Sequence, residues 1–294
     1  MSVRRLAGGA LVLALLVGLV ALAGAWLWTA SAGGRGFFLA AGGGYAVAVA
    51  VIWFQLDRLL ANRALNKNAL PERPELYDFD KLNPPMHIDE VGGKCLKDLT
   101  FVVFDTETTG LATEGADQII SIGGVRIRGC RVLDHEPFTR LIDPKMPITK
   151  ASTKIHGITD DMVRGEAGVE EVIPAFKEFV GDAVLVAHNA AFDMAFLKKN
   201  HAATGVTFDN LVLDTLLLSV FAEAESRNHS LEAMAERLGV NIEGRHTALG
   251  DAIATAKVFV RLLDLLETRG VITCRQAINA SVKMEQVREM GKEW

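Results

Sequence analysis

Two long stretches without a charged residue occupy the first fifth of this 294-residue chain and limit what that part can fold into. Residues 6–34 and residues 36–56 contain no Asp, Glu, Lys or Arg. Roughly 20 consecutive apolar residues are enough to cross a bilayer as a helix. Each stretch is therefore a candidate transmembrane helix, and residues 1–56 are predicted to form a two-helix membrane hairpin.

The charges beside these stretches predict how the hairpin is oriented. Arg4 and Arg5 precede the first stretch and Arg58 and Arg63 follow the second, whereas the connecting loop carries only Arg35. Basic flanks stay on the cytoplasmic side of a membrane. Both ends of the hairpin, and everything after it, are therefore expected in the cytoplasm. Small residues four apart in the second stretch are compatible with close helix packing and with an oligomer.

A secretory signal peptide is the alternative for the first stretch. Arg4 and Arg5, an apolar run and then Ala30-Ser31-Ala32 follow the order of features in such a peptide. The apolar run is longer than the roughly 7–15 residues that are usual there. If it were cleaved, the second stretch would still anchor the chain and leave the following domain in the cytoplasm.

The rest of the chain divides by its apolar spacing. Residues 57–97 are predicted to be a juxtamembrane stalk and linker, residues 98–270 a globular domain, and residues 271–294 a helical tail. Early strand candidates follow one another directly, which favours antiparallel hairpins, and a later strand alternates with helices, which favours parallel additions. The expected fold class is α/β, a mixed sheet flanked by helices. The strand and helix candidates lie near residues 100–105, 119–127, 131–141, 169–180 and 183–187.

The first strand candidate delivers two acids one residue apart. The apolar run 101–104 leads into Asp105-Thr106-Glu107, and a Thr-Thr-Gly turn follows. Side chains at positions i and i+2 of a strand share a face. Asp105 and Glu107 can therefore reach the same cation.

Two further motifs place acids at the starts of predicted helices. Asp193 follows the apolar strand candidate at 183–187 and lies in the first turn of a helical pattern that continues to about Ala203. His246 is expected at the mouth of a long helix that runs to about Glu267, with Asp251 one turn inside it. Hard divalent cations such as Mg²⁺ prefer carboxylate oxygens. Four acids and one histidine in these positions suit a two-metal site that cleaves phosphodiester bonds.

The three motifs, in this order, resemble those of the DEDDh or DnaQ-like 3′–5′ exonuclease superfamily over about residues 100–269. All five residues match the family pattern without substitution. The resemblance implies a ribonuclease H-like mixed sheet. The segment Ile155-His156-Gly157-Ile158 and the run after Asp105 further resemble the bacterial DNA polymerase III epsilon and PolC proofreading branch. A bacterial inner membrane is then the expected location. His156 receives no catalytic role and is compatible with a turn residue that caps a local helix.

The resemblance also implies a role for each site residue. Asp105 would bridge two divalent cations, Mg²⁺ or Mn²⁺, Glu107 and Asp251 would complete the first site, and Asp193 would hold the second, directly or through water. His246 would be the general base toward the attacking water. Thr106 and Thr108 would touch the terminal nucleotide. The expected activity is the release of nucleoside monophosphates from the 3′ end of DNA.

The charge of the domain restricts how it holds nucleic acid. Residues 101–294 contain 21 basic and 28 acidic residues, a net charge of −7, so a broad phosphate-binding surface is not expected. A single-stranded 3′ end held through bound cations is the expected partner, with the membrane and a DNA polymerase or another membrane protein as further ones. Two alternatives stay open: a nuclease for RNA or short oligonucleotides on the same fold, and a membrane-anchored binding or sensory module without turnover. The tail shows no convincing clamp-binding segment, which argues against an ordinary place in a replicative polymerase.

Overall fold

The computed structural model describes residues 90–292. The predicted membrane hairpin and most of the predicted stalk lie outside these residues, so both stay predictions. Within residues 90–292 no helix combines the length and the apolar character needed to cross a membrane.

Three consecutive strands form antiparallel hairpins, as the sequence predicts. They are β1 (Thr100–Thr108), β2 (Ile119–Arg128) and β3 (Arg131–Leu141). Gly129 and Cys130 join β2 to β3 with φ angles of 56° and 58°. Two left-handed residues between paired strands match the right-handed twist of a tight hairpin.

Two short strands extend the sheet on the other side of β1. Both β4 (Val184–Ala187) and β5 (Val212–Asp214) run parallel to β1, and the strand order is β3-β2-β1-β4-β5. The predicted mixed sheet is therefore confirmed. The central position of β1 explains why its residues 101–104 are at most 1% exposed.

Nine α-helices follow or cover the strands among the described residues, and one 3-10 helix (Leu96–Asp98) precedes β1. Two aromatic contacts show which faces of the sheet they cover. Phe101 of β1 packs edge-on against Phe259 at 5.0 Å between ring centroids, whereas Phe104 packs against Phe176 at 5.5 Å. Because strand side chains alternate, the sheet has helices on both faces. The helices are α1 (Lys150–His156), α2 (Asp160–Val163), α3 (Val169–Val180), α4 (Ala190–Lys199), α5 (His201–Thr204), α6 (Thr215–Ala222), α7 (Leu231–Arg237), α8 (Ala248–Thr268) and α9 (Cys274–Lys292).

The helix predicted to run on to about Ala203 is interrupted at Asn200. The Asn200 side chain donates to the carbonyl of Phe196 at 2.9 Å, and a separate turn of helix, α5, follows. Gly205, with φ of 68°, then ends α5 in the left-handed conformation that suits glycine.

The end of the predicted linker and the start of the predicted tail pair with each other. The N–H of Leu96 donates to the carbonyl of Ile272 at 2.8 Å, and the N–H of Cys274 donates to the carbonyl of Lys94 at 3.1 Å. Leu96 is 2% exposed and belongs to the main core. Residues from about 92 onward are therefore integrated with the globular domain, and α9 packs against α6.

Candidate active site

Strand β1 places two acids on the face of the sheet that α8 covers. Asp105 and Glu107 are four and six residues after Phe101 in the same strand, so their side chains point to the same face as Phe101, which touches Phe259 of α8. Both carboxylates are buried, at 7% and 5% exposure. The prediction that they share a face is confirmed.

A glycine in β2 lets α8 begin close to these acids. Gly123 pairs with Asp105 in the antiparallel register, and a Cβ at Gly123 would overlap the backbone of Ala248 and Leu249. The first turn of α8 therefore rests directly on the sheet beside Asp105. Only a residue without a side chain permits this approach.

A short turn fixes the start of α8. The hydroxyl of Thr247, the N-cap residue, donates to the carbonyl of Gly244 at 2.7 Å and accepts from the N–H of Gly250 at 3.1 Å. Such a cap satisfies a helix donor that would otherwise have no partner. Asp251 then lies in the first turn of α8, as the sequence predicts.

Three acids meet where β1 and α8 come together. One carboxylate oxygen from each of Asp105, Glu107 and Asp251 lies within 4.8 Å of the other two, and all three side chains are buried. We call these three residues the acid cluster. Like charges at this distance destabilise one another unless a cation or a proton compensates them. An oxygen-only set of this kind fits a divalent cation such as Mg²⁺ or Mn²⁺.

Asp193 is attached to the same strand through the residue between the two acids. Its Oδ1 accepts from the backbone N–H of Thr106 at 3.0 Å and from the Thr106 hydroxyl at 2.6 Å. Asp193 is fully buried and lies in the first turn of α4, as predicted. Among the described residues, the group within 4.8 Å does not include Asp193.

A second buried acid, Asp214, accepts hydrogen bonds from backbone N–H groups at the start of α4. Its role was not predicted from the sequence. Its carboxylate accepts from the N–H groups of Asn189 at 3.1 Å, Ala190 at 3.0 Å and Leu216 at 2.8 Å. Burial raises the pKa of Asp214 to about 7, against the opposing effect of these backbone donors. The available signal was an acid at the end of an apolar strand before Thr-Leu-Leu-Leu, which is typical of an N-cap.

The turn before α8 carries His246. This residue is half-buried with a left-handed φ of 59°, and Thr247 follows it directly. The predicted position at the mouth of the helix is confirmed. His246 is not a member of the group of close ligand atoms found among the described residues.

Arg245, the residue before His246, pairs with the acid cluster and was also missed. Its Nη1 donates to Asp251 Oδ1 and its Nη2 donates to Glu232 Oε1 of α7. Burial acts to lower the pKa of Arg245, but the two carboxylates outweigh it and the pKa is raised. No local pattern predicts this contact because Glu232 and Asp251 are brought together only by the packing of α7 and α8.

Thr106, Thr108 and His156, which the sequence motifs also include, have defined contacts. The Thr106 hydroxyl donates to Asp193, and the Thr108 hydroxyl donates to the carbonyl of Gly110 at 2.6 Å. The predicted substrate contacts of Thr106 and Thr108 stay predictions. His156 Nδ1 accepts from the N–H of Ile158 at 3.0 Å, where α1 ends, so this histidine caps a turn.

Comparisons with known proteins find relatives of this chain. The model of the family described as Exonuclease (RNase_T) matches residues 102–259. The chain is 47% identical over 209 residues to a DNA polymerase III subunit epsilon-like protein of Rhodobacter capsulatus, an alignment that covers 68% of this chain and 29% of that protein. It is 42% identical over 192 residues to a PolC-type DNA polymerase III of Caldanaerobacter subterraneus, covering 65% of this chain and 13% of that protein.

A solved structure shares the fold. Exonuclease X in complex with 5′-overhanging duplex DNA is 27% identical, with a TM-score of 0.50, and the match covers 62% of this chain and 99% of that one. The chain spans less than a third of the length of the two curated relatives named above.

Proposed function

The chain belongs to the exonuclease family, and on that premise we propose that it is a metal-dependent 3′–5′ exonuclease that releases nucleoside monophosphates from DNA. The observation that carries the proposal is the acid cluster of Asp105, Glu107 and Asp251 at the junction of β1 and α8. His246 belongs to the turn that begins α8. Acids and a base on rigid elements, in the order typical of the family, support hydrolysis of a phosphodiester bond.

The acid cluster and Asp193 are the residues proposed to hold two divalent cations, Mg²⁺ or Mn²⁺. Asp105, Glu107 and Asp251 would hold the first cation. Asp105 and Asp193 would hold the second, with Asp193 acting directly or through water. When bound, the two cations supply charge stabilisation for the attacking and leaving oxygens of an in-line displacement.

His246 is the proposed general base. Histidine is the residue type whose neutral form is available as a base near cellular pH. The turn that carries it is fixed by Gly244, Thr247 and Gly250, so the imidazole is presented from a defined backbone position. In the proposed reaction it takes the proton of the attacking water.

DNA is the favoured substrate. The curated relatives named above are DNA polymerase III proteins, and the similar solved structure contains duplex DNA. The net charge of −7 over residues 101–294 favours a short single-stranded 3′ end gripped near the cations over a long duplex gripped along its phosphates. A polymerase partner is part of the proposal because the relatives are epsilon-like and PolC-type proteins.

We also propose that residues 1–56 anchor the exonuclease domain to the cytoplasmic membrane of a bacterium. The two uncharged stretches and their basic flanks support this proposal. The domain would then act on DNA ends that reach the inner face of the membrane.

The proposed activity is tested with 5′-labelled substrates and purified protein. Full-length protein in detergent is compared with a fragment of residues 86–294, which keeps the backbone pairing of residues 92–96 with residues 272–275. Single-stranded DNA, a primer with a mismatched 3′ end and RNA of the same sequence are offered with Mg²⁺, with Mn²⁺ or with chelator.

Stepwise shortening from the 3′ end of DNA that stops with chelator is the expected result. Asp105→Ala should abolish it, whereas Asp134→Ala, at an exposed position of β3, should retain it. Shortening of RNA alone would refute the assignment of DNA as substrate, and full activity of Asp105→Ala would refute the metal site.

A further inference from the structure

Arg245 connects the acid cluster to a neighbouring helix. Its guanidinium donates through Nη1 to Asp251 Oδ1 and through Nη2 to Glu232 Oε1 of α7. Nε, which is buried, has no hydrogen-bond partner among the described residues. The guanidinium is therefore held through its two terminal nitrogens, one of which is bonded to a proposed metal ligand.

The positive charge of the Arg245 guanidinium lies where it would repel a divalent cation bound by the acid cluster. One carboxylate oxygen of Asp251 lies within 4.8 Å of a carboxylate oxygen of Asp105 and of one of Glu107. The carboxylate that accepts from Arg245 is therefore also part of the acid cluster. Arginine stays protonated at every working pH. Two cations attracted to one small group of oxygens repel each other, and the repulsion is screened little where water is largely excluded.

We propose that Arg245 is an internal counter-ion of the acid cluster that competes with the divalent cation for Asp251. In the absence of the cation, Arg245 neutralises Asp251. When the cation binds, the guanidinium releases Asp251 Oδ1 and stays paired with Glu232, whose side chain is 55% exposed. The proposal rests on the metal site of the proposed function, and in it Arg245 regulates cation binding at that site.

The consequence for the reaction is that cation loading depends on substrate. Mg²⁺ is commonly bound through a few carboxylates together with substrate phosphates. A site weakened by Arg245 fills poorly by itself and fills better when a phosphate adds ligands and negative charge. Arg245 thus favours loading of cation and DNA end together, and acts as a positioning residue through Asp251.

The turn that carries Arg245 does not depend on its guanidinium. Thr247 bonds to Gly244 and Gly250, and these contacts involve no side-chain atom of Arg245. A substitution of Arg245 is therefore expected to leave the start of α8 in place. This independence allows the competition to be tested by mutation.

The test is Mn²⁺ binding to the full-length chain without nucleic acid, measured by isothermal titration calorimetry. Arg245→Gln should bind Mn²⁺ more tightly than wild type, on the order of tenfold, because the competing charge is gone. Arg245→Lys keeps the charge and should fall between the two. Arg237→Gln is the matched control, since Arg237 of α7 pairs with Glu223 and makes no bond to the acid cluster.

Competition predicts tighter Mn²⁺ binding by Arg245→Gln, whereas structural damage to the site would weaken Mn²⁺ binding. Equal or weaker Mn²⁺ binding by Arg245→Gln overturns the proposal, as does an absence of Mn²⁺ binding by both proteins. Glu232→Gln leaves Arg245 paired with Asp251 and should not bind Mn²⁺ more tightly. If it gains as much as Arg245→Gln, loosening of the turn is the cause and the proposal is wrong.

Thermal unfolding is a second way to compare Mn²⁺ binding by the two proteins. If Arg245→Gln is unfolded in chelator, the rise of Tm with Mn²⁺ replaces calorimetry. A steeper rise than in wild type supports competition, and an equal or shallower one contradicts it. Because no nucleic acid is used, wild-type protein that binds Mn²⁺ but does not shorten DNA refutes the proposed function and leaves the Arg245 comparison intact.

Discussion

Thr106 donates twice to one oxygen of Asp193, once from its backbone N–H at 3.0 Å and once from its hydroxyl at 2.6 Å. Thr106 is the residue between Asp105 and Glu107, and its own side chain is fully buried. The contact thus attaches the start of α4 to the segment of β1 that carries two acids of the cluster. The relative position of the proposed metal ligands depends on this pair.

Thr106→Val keeps the backbone donor and removes the hydroxyl donor to Asp193. Loss of a hydrogen bond to a buried acceptor costs about 1–3 kcal/mol, so the free energy of unfolding should fall by about that amount. The Mg²⁺ concentration for half-maximal activity should rise as Asp193 becomes less fixed. Urea unfolding and a Mg²⁺ titration of exonuclease rate measure the two effects. Thr268→Val, at an exposed helix end, is the control, and an effect as small as the control's would contradict the assigned role of the Thr106 hydroxyl.

His246→Ala tests the proposed general base. Positioned proton transfer contributes roughly 10²–10⁴-fold to rate, so kcat should fall by about that factor. Mn²⁺ affinity should change little, because His246 is outside the acid cluster. Rate and calorimetric binding are measured on the same protein, with His135→Ala at an exposed position as the control. An unchanged kcat would remove the base assignment, and lost Mn²⁺ binding would assign His246 to the metal site.

Gly123→Ala tests the close approach of α8 to β2. The added Cβ overlaps backbone atoms of Ala248 and Leu249, and overpacking of this kind costs about 1–3 kcal/mol. Because Asp251 lies in the same first turn, exonuclease activity should fall together with stability. Gly93→Ala is the matched control, since nothing lies within 4 Å of its added Cβ. Wild-type activity in Gly123→Ala would show that the acid cluster does not depend on this approach.

The carboxyl of Asp214 should make stability depend on pH. Burial raises its pKa from 3.8 to about 7, so the folded protein binds a proton between these values that the unfolded chain releases. The free energy of unfolding should therefore decrease as pH rises from about 4 to about 7, and this contribution should level off above 7. Urea unfolding at several pH values measures it.

Asp214→Asn should remove that part of the pH dependence. It should also lower stability at acidic pH, because the Asn side chain has one acceptor oxygen for the three backbone donors of Asn189, Ala190 and Leu216. Asp134→Asn at the exposed position of β3 should retain the wild-type slope. The same slope in Asp214→Asn as in wild type would refute the role of Asp214 in the pH dependence.

Local patterns predicted most elements of the globular domain. Strand alternation and apolar runs identified β1 to β4, and the pairing of early strands followed from their order. The prediction was less accurate at Asn200, where a side-chain bond to the Phe196 carbonyl interrupts the helix. It also did not anticipate that residues 92–96 pair with residues 272–275, because nothing in either segment specifies its partner.

The sequence by itself determined which residues are proposed to carry the chemistry of this protein. Spacing placed Asp105 and Glu107 on one face of β1, and helix signals placed Asp193 and Asp251 in first turns, since both depend on short-range geometry. The uncharged stretches of residues 1–56 likewise predict a membrane hairpin from composition alone.

Only the tertiary structure decided which of these residues meet. It joined Asp251 to the cluster of Asp105 and Glu107, bonded Asp193 to Thr106 across 87 positions of sequence, and brought Arg245 against Asp251. Contacts of this kind depend on how α4, α7 and α8 pack on the sheet. Packing is a property of the whole domain, and no local spacing of residues encodes it.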